Sequence, residues 1–323
     1  MAMNRALVKL TAAFCFAGAA AAQQPVAWPQ KPVRFVVAFP PAGIADIIAR
    51  PVAQKLSDAW GQPVVVDNRG GASGNIATRL VAKAPPDGYT VLVHVSAYAV
   101  NPSLSTDAGY DPQKDLRVAT FIARSPNVIV AAPKLAANSL AEAIVLARAG
   151  KFNYASPGAG TTPHLSAAYV FKVLARVDVV HIPFQGGGPA LNAAMGGQVE
   201  FASVPVAPAV QLIKAVRVKG LAVTSKKRVT AIPEVPTVAE AGLPDVEHDT
   251  WVGLFLPAST PPAVVARLHA AVAAVLATPE VKDRLSGLAF EAMGGKPDDS
   301  ARYLATEIRK WAEVIRQTGA KVD

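Results

Sequence analysis

Cysteine is almost missing: the single copy in 323 residues, Cys15, stands in a leader where an apolar run over residues 10–19 follows Arg5 and Lys9 and ends at Ala20-Ala21-Ala22. That pattern predicts a secretory signal peptide cut after Ala22, and an exported, periplasmic product. Beyond the cut no thiol remains, which excludes a disulfide, a thiol nucleophile and a cysteine metal site. Phe14 before Cys15 also spoils a lipoprotein-type site. Long apolar runs are missing as well, none reaching the roughly 18–20 residues of a spanning helix. The histidines, His94, His164, His181, His248 and His269, form no His-x-x-x-His or His-x-His pair, so no zinc site is expected. There is no Gly-x-Ser-x-Gly nucleophile elbow, since Gly71-Ala72-Ser73-Gly74 lacks the spacing. Gly158-Ala159-Gly160-Thr161-Thr162 lacks the lysine of a phosphate loop. No cofactor is expected. Aromatic residues make up 7% and never interleave with basic runs, which argues against a nucleic-acid partner.

What is present describes a well-cored globular chain: 51% hydrophobic, with 27 Pro and 23 Gly for loops. Its length suits two α/β lobes, because one core seldom grows past about 250–300 residues. The formal charge of +9 becomes +7 without Arg5 and Lys9. Apart from Lys226-Lys227-Arg228 the basic residues are scattered, giving a mild field attractive to small anions.

Residues 33–39 form a near-continuous apolar run that suits a central strand covered on both faces, followed by a Pro/Gly loop and a helix in which Pro51 should bend the axis or end a short first segment. Further strands are expected at 64–66, ending in a glycine loop at a helix start, and at 90–95, followed by a loop over 96–101. A β-rich stretch over 118–132, broken at Ser125-Pro126, reads as a crossing between lobes. Strands at 152–155, 177–182, 199–204 and 220–224 follow, with capping boxes at Ser139-Leu140-Ala141-Glu142 and Thr237-Val238-Ala239-Glu240. A strand at 250–256 returns the chain, with Trp251 and Phe255 alternating toward a core; only helical patterns follow it. The expected fold is α/β, with two parallel-sheet lobes joined by two hinge crossings near 124–127 and 248–251. Lobe I takes 23–124 plus 251–323, and lobe II takes 125–250. A cleft then lies between the carboxyl ends of both sheets.

Within that cleft residues 153–165 read as strand, glycine loop and helix start. The first-turn N–H groups there could meet an anion, or the loop could be an ordinary connection with Thr161 or Thr162 as N-cap. Asp46 is open in the same way, as helix cap or as ligand contact. His94 and His181 belong to apolar strands and are expected in the core, whereas His164, after Pro163, is a candidate for the cleft wall.

The chain resembles the tripartite tricarboxylate transporter substrate-binding proteins, the Bug-type periplasmic receptors. The matches run in order: Trp28-Pro29, Pro32-Val33-Arg34, residues 62–69 (QPVVVDNR), Gly74-Asn75, residues 84–90 (APPDGYT), Asn101-Pro102-Ser103-Leu104, Asn153-Tyr154-Ala155-Ser156 with residues 160–165 (GTTPHL), Gly196-Gly197-Gln198-Val199, residues 221–225 (LAVTS) and residues 235–242 (VPTVAEAG). The resemblance implies a type II periplasmic-binding-protein fold and a non-enzymatic, monomeric receptor. Such a receptor hands a small carboxylate to membrane permease subunits. The ligand would be held by backbone N–H groups and water from facing loops: Phe39, Pro40, Ala42, Gly43, Ile44, Ala45 and Asp46; Ser96, Ala97 and Tyr98; Ala159, Gly160, Thr161, Thr162 and His164; Phe184, Gln185, Gly186, Gly187 and Val204. Two departures bear on the ligand. Ala42, Ile44 and Ala45 interrupt the family's glycine run, and Val204-Pro205 stands where many relatives carry Asp-Asn. Both favour a ligand with an apolar or aromatic body. The competing class is an exported hydrolase of a small ester or amide, using Ser156 or His164.

Overall fold

Strand β1 (Val33–Val37) is flanked in parallel by β2 (Val64–Asn68) and β3 (Thr90–Val95) in a computed structural model that describes residues 28–105 and 108–321. The leader and the cleavage site expected after Ala22 lie outside the described residues. Parallel neighbours need crossover connections, which α1 (Ile44–Trp60) and α2 (Asn75–Ala82) supply. Helix α1 runs unbroken through Pro51 and ends at Gly61 in the left-handed conformation. Helix α3 (Ala97–Leu104) follows β3 directly and replaces the loop expected over 96–101.

The long strand β4 (Leu116–Ala131) is continuous across Ser125-Pro126 and belongs to both halves of the molecule. Its residues 116–126 pair antiparallel with β9 (Asp249–Pro257), and its residues 127–131 pair antiparallel with β7 (Phe201–Pro205). Pro126 stands where one ladder ends and the next begins, a place where a missing N–H is tolerated. Between the two passages come α4 (Leu140–Ala149), β5 (Phe152–Ser156), α5 (Thr162–Ala168) with a π-helical continuation over Tyr169–Leu174, β6 (Val179–Pro183), α6 (Gly187–Met195), β7, α7 (Val206–Lys214) and β8 (Lys219–Val223). Strand β5 is parallel to β6 and β7. After β9 come α8 (Pro262–Ala277), α9 (Pro279–Gly287), the short β10 (Glu291–Gly294) antiparallel to β4, and α10 (Pro297–Thr318).

Each lobe therefore has three parallel strands with the crossing strands set antiparallel beside them, in the order β2-β1-β3-β9-β4-β7-β5-β6. Both sheets are covered on both faces. One face of the first packs Phe35, Ile48, Leu56 and Leu268; the other packs Tyr98, Trp251, Phe255 and Trp311. The second sheet is sandwiched between a layer with Tyr154, Phe171 and Phe201 and one with Leu191, Val204 and Val210. Trp251 and Phe255 are fully buried, as their alternation predicts.

Candidate functional site

Parallel strands point their carboxyl ends, and hence the starts of the following helices, to one side. Five such junctions, after β1, β3, β5, β6 and β7, meet Thr250 of β9 around a cavity of about 310 Å³. It is lined by Phe39, Pro40, Pro41, Ala42, Gly43, Ile44 and Ala45 from the first junction, Val95 and Ser96 from the second, and Pro157, Thr161, Thr162 and Pro163 from the third. Gln185, Gly186, Gly187, Gly188 and Pro189 come from the fourth, and Pro205 from the fifth. A wider recess of about 500 Å³ shares Phe39, Pro40, Pro41, Thr161 and Gln185 and extends along residues 70–74 and Phe184.

Helices α1 and α6 begin at the cavity with glycine N-caps, Gly43 and Gly186, neither with a side-chain cap. Their first-turn N–H groups have no partners within the helix, and the positive ends of both helix dipoles lie there. No lining residue carries a charged side chain. Anion affinity at this place has to come from main-chain N–H groups and uncharged side-chain donors.

A buried polar chain crosses the cavity floor. Ser96 Oγ lies 2.9 Å from Thr162 Oγ1, which lies 2.8 Å from Thr250 Oγ1. Thr250 donates to Asn127 Oδ1 (2.8 Å), and Asn127 Nδ2 donates to Ser166 Oγ and to the His248 carbonyl, both at 3.1 Å. The chain thus ties α3 and α5 through both crossing strands. Thr161 is the N-cap of α5, yet its hydroxyl donates back to the Gly158 carbonyl (2.8 Å) instead of capping.

Several expected site residues lie off this wall. Asp46 is at the third position of α1, not its N-cap; its carboxylate accepts from Ala42 N (3.0 Å), Asn68 Nδ2 (2.9 Å) and Arg50 Nε (2.9 Å), and so holds the first loop in shape. Burial alone would raise its pKa, but Arg50, the Ala42 N–H and Asn68 hold it below the usual carboxylate range. Ala97 and Tyr98 are inside α3, where Tyr98 donates to the Pro112 carbonyl and stacks on Phe255. Gly160 donates its N–H to His164 Nδ1 (3.1 Å), so that donor is committed, and an added Cβ would stand 3.0 Å from both Asn101 and Leu104. His164 is buried beneath the glycine loop with its ring stacked on His181 at 3.8 Å, and burial lowers its pKa to about 4. Ala159 faces the rim, where its carbonyl accepts from Ser73 Oγ (2.7 Å). Phe184 lines only the outer recess, and Val204 is wholly buried in the core.

Conversely, Val95, Pro157, Gly188, Pro189 and Thr250 line the cavity without having been expected there. Most are prolines or apolar residues with no chemical signal of their own. Only Thr250, a hydroxyl on an otherwise apolar crossing strand, offered one.

A two-lobed α/β chain with helix starts converging on an interlobe cavity defines a solute receptor. Residues 48–320 match the family described as tripartite tricarboxylate transporter family receptor, TctC, and the chain belongs to that family. It is 35% identical to the protein BugT of Bordetella pertussis over the full length of both chains. Among solved structures, an R. palustris protein with adipate superposes with a TM-score of 0.86 at 35% identity, covering 91% of this chain and 100% of its own. MatC from Rhodopseudomonas palustris with bound malate gives 0.81 at 31% identity, covering 89% and 100%.

Proposed function

We propose that the protein is a periplasmic receptor, exported by a leader cut after Ala22, that captures one small carboxylate between its lobes and hands it to permease subunits of a tripartite tricarboxylate-type transporter. It acts as a monomer, with lobe I formed by residues 23–124 and 251–323 and lobe II by residues 125–250. The observation that carries this reading is the convergence of the α1 and α6 N-termini, from opposite lobes, on a cavity with no charged side chain in its lining. Hydrogen bonds to a charged group contribute about 1.5–3 kcal/mol each. Three or four of them reach the roughly 8 kcal/mol of micromolar capture. The adipate and malate held by the structural relatives support a carboxylate as the solute class. Ser156 and His181 approach within 2.7 Å, but Ser156 is fully buried and absent from the cavity wall, which disfavours the hydrolase.

The test is a thermal-shift screen of carboxylic acids on protein that has been unfolded, freed of solute and refolded. An acid at about 100 times its dissociation constant adds about 2.7 kcal/mol and raises the melting temperature by several degrees. Hydrolysis of a small ester or amide, lost in Ser156→Ala, would overturn the reading.

A further inference from the structure

We propose that the cleft selects a monocarboxylate with a compact apolar body, of the benzoate or cyclohexanecarboxylate kind, and discriminates against dicarboxylates. The inference rests on the receptor reading above and specifies its solute.

It follows from an inventory of what the cavity wall can offer. None of its twenty lining residues is charged. Six are prolines, Pro40, Pro41, Pro157, Pro163, Pro189 and Pro205, which present ring carbons where another residue would present an N–H. Two of these remove donors from the turns that face the cavity: Pro163 is the second residue of α5 and Pro189 the third of α6. The hydroxyls of Ser96, Thr162 and Thr250 are engaged with one another along the floor, and Thr161 is bonded to Gly158. Among the described residues, Gln185 is the one lining side chain whose polar group has no partner within the protein, and it is exposed.

The main-chain donors at the starts of α1 and α6, which face each other from opposite lobes, converge on one carboxylate. A second would meet a wall dominated by Phe39, Ile44 and the prolines, with no cation and with the Gln185 amide as the one free side-chain donor among the described residues, and an incompletely paired buried charge is strongly disfavoured. A ring fits the same walls. The inner cavity, at about 310 Å³, is at the small end of ligand sites and suits one compact body, with the recess of about 500 Å³ lying outside it toward residues 70–74.

Isothermal titration of refolded protein with benzoate, cyclohexanecarboxylate, adipate, malate and benzamide tests this. The expected result is that one of the two ring acids binds at least about 100-fold more tightly than either dicarboxylate, with benzamide inert. Pro189→Ala, which returns one N–H to α6, and Ile44→Ser, which puts a hydroxyl at the start of α1, each narrow that gap by roughly tenfold. Adipate or malate binding as tightly as the ring acids, with benzamide inert, overturns the selectivity while the receptor reading stands; so does a gap that neither variant moves. No binding by any of the four acids overturns the selectivity while the receptor reading stands on the wider acid screen; equal binding of benzoate and benzamide overturns the receptor reading together with the inference.

Discussion

Placing a proton on His164 would aim a charged Nδ1–H at the Gly160 N–H that now donates to it, with the His181 ring stacked 3.8 Å away. Four imidazoles are held neutral by burial. Burial lowers His94 and His164 to about 4; burial with His164 as charged neighbour takes His181 to about 3, and burial with Lys310 takes His248 to about 3. An unfolded chain takes up these protons near pH 6.5, whereas the folded one waits until about 4 or below, so stability is lost as pH falls through that window. Asp249 works in the opposite sense: burial raises it from 3.8 to about 6, so the folded form keeps its proton over that range and acid favours folding by this one group. Four groups outweigh one. The melting temperature is therefore expected to drop between about pH 7 and about pH 5, and His181→Gln to flatten the dependence. A melting temperature constant over that range would contradict it. Ala42 makes a second residue-scale case. It holds φ at +62° in the first loop, fixed there by the Asp46 carboxylate, in a region that costs a residue with a Cβ about 1–2 kcal/mol. Ala42→Gly is expected to stabilise the protein by about 1 kcal/mol in urea melts, net of the extra freedom glycine gives the unfolded chain. The sequence shows alanine in place of a glycine run, but not the left-handed conformation that makes the replacement costly.

Helix α10 shows why an element can be legible while its key contact is not. The apolar spacing of Trp311 and Ile315 gives the helix and its buried side. Glu307 lies on that side too, 2% exposed, with Oε2 accepting from Trp251 Nε1 (3.0 Å) and Trp311 Nε1 (3.1 Å). A glutamate in a helical pattern reads as solvated surface, because nothing local announces two indole donors, one of them far away on β9. Glu307→Ala strands both N–H groups and is expected to destabilise by about 3 kcal/mol, Glu307→Gln by about 1 kcal/mol because its amide oxygen still accepts. Equal, negligible losses in urea melts would rule out the clamp. Strand β10 was illegible for another reason: Glu-Ala-Met-Gly has no β-branched residue, and its pairing with β4 alone makes it a strand. At β4, Ser125-Pro126 read as a break, because the sequence does not show that the strand changes partners there. The strand-to-helix junctions were readable because loop glycines and apolar periodicity are local signals. Which loop residues face inward depended on helix phase, and that placed Tyr98 and His164 in the interior.

At the scale of the whole molecule, β4 and β9 cross side by side, with Arg124 opposite Trp251, Ser125 opposite Thr250 and Pro126 opposite Asp249. Two paired strands form a narrow joint suited to hinge bending. Across the cleft from it the rims touch where Ser73 donates to the Ala159 carbonyl, and Ser73 holds a φ of +52° to do so. Ser73→Ala should weaken acid binding by roughly tenfold, the worth of one net hydrogen bond, and an unchanged affinity by calorimetry would deny the latch any role. The central claim is that a carboxylate is captured between two lobes that close on it. Small-angle scattering of solute-free protein, alone and with saturating benzoate or, separately, benzamide, tests it most directly. The account predicts a smaller radius of gyration with the acid and no change with the amide. An unchanged radius at calorimetrically confirmed saturation with the acid, or the same contraction with the amide, would contradict it.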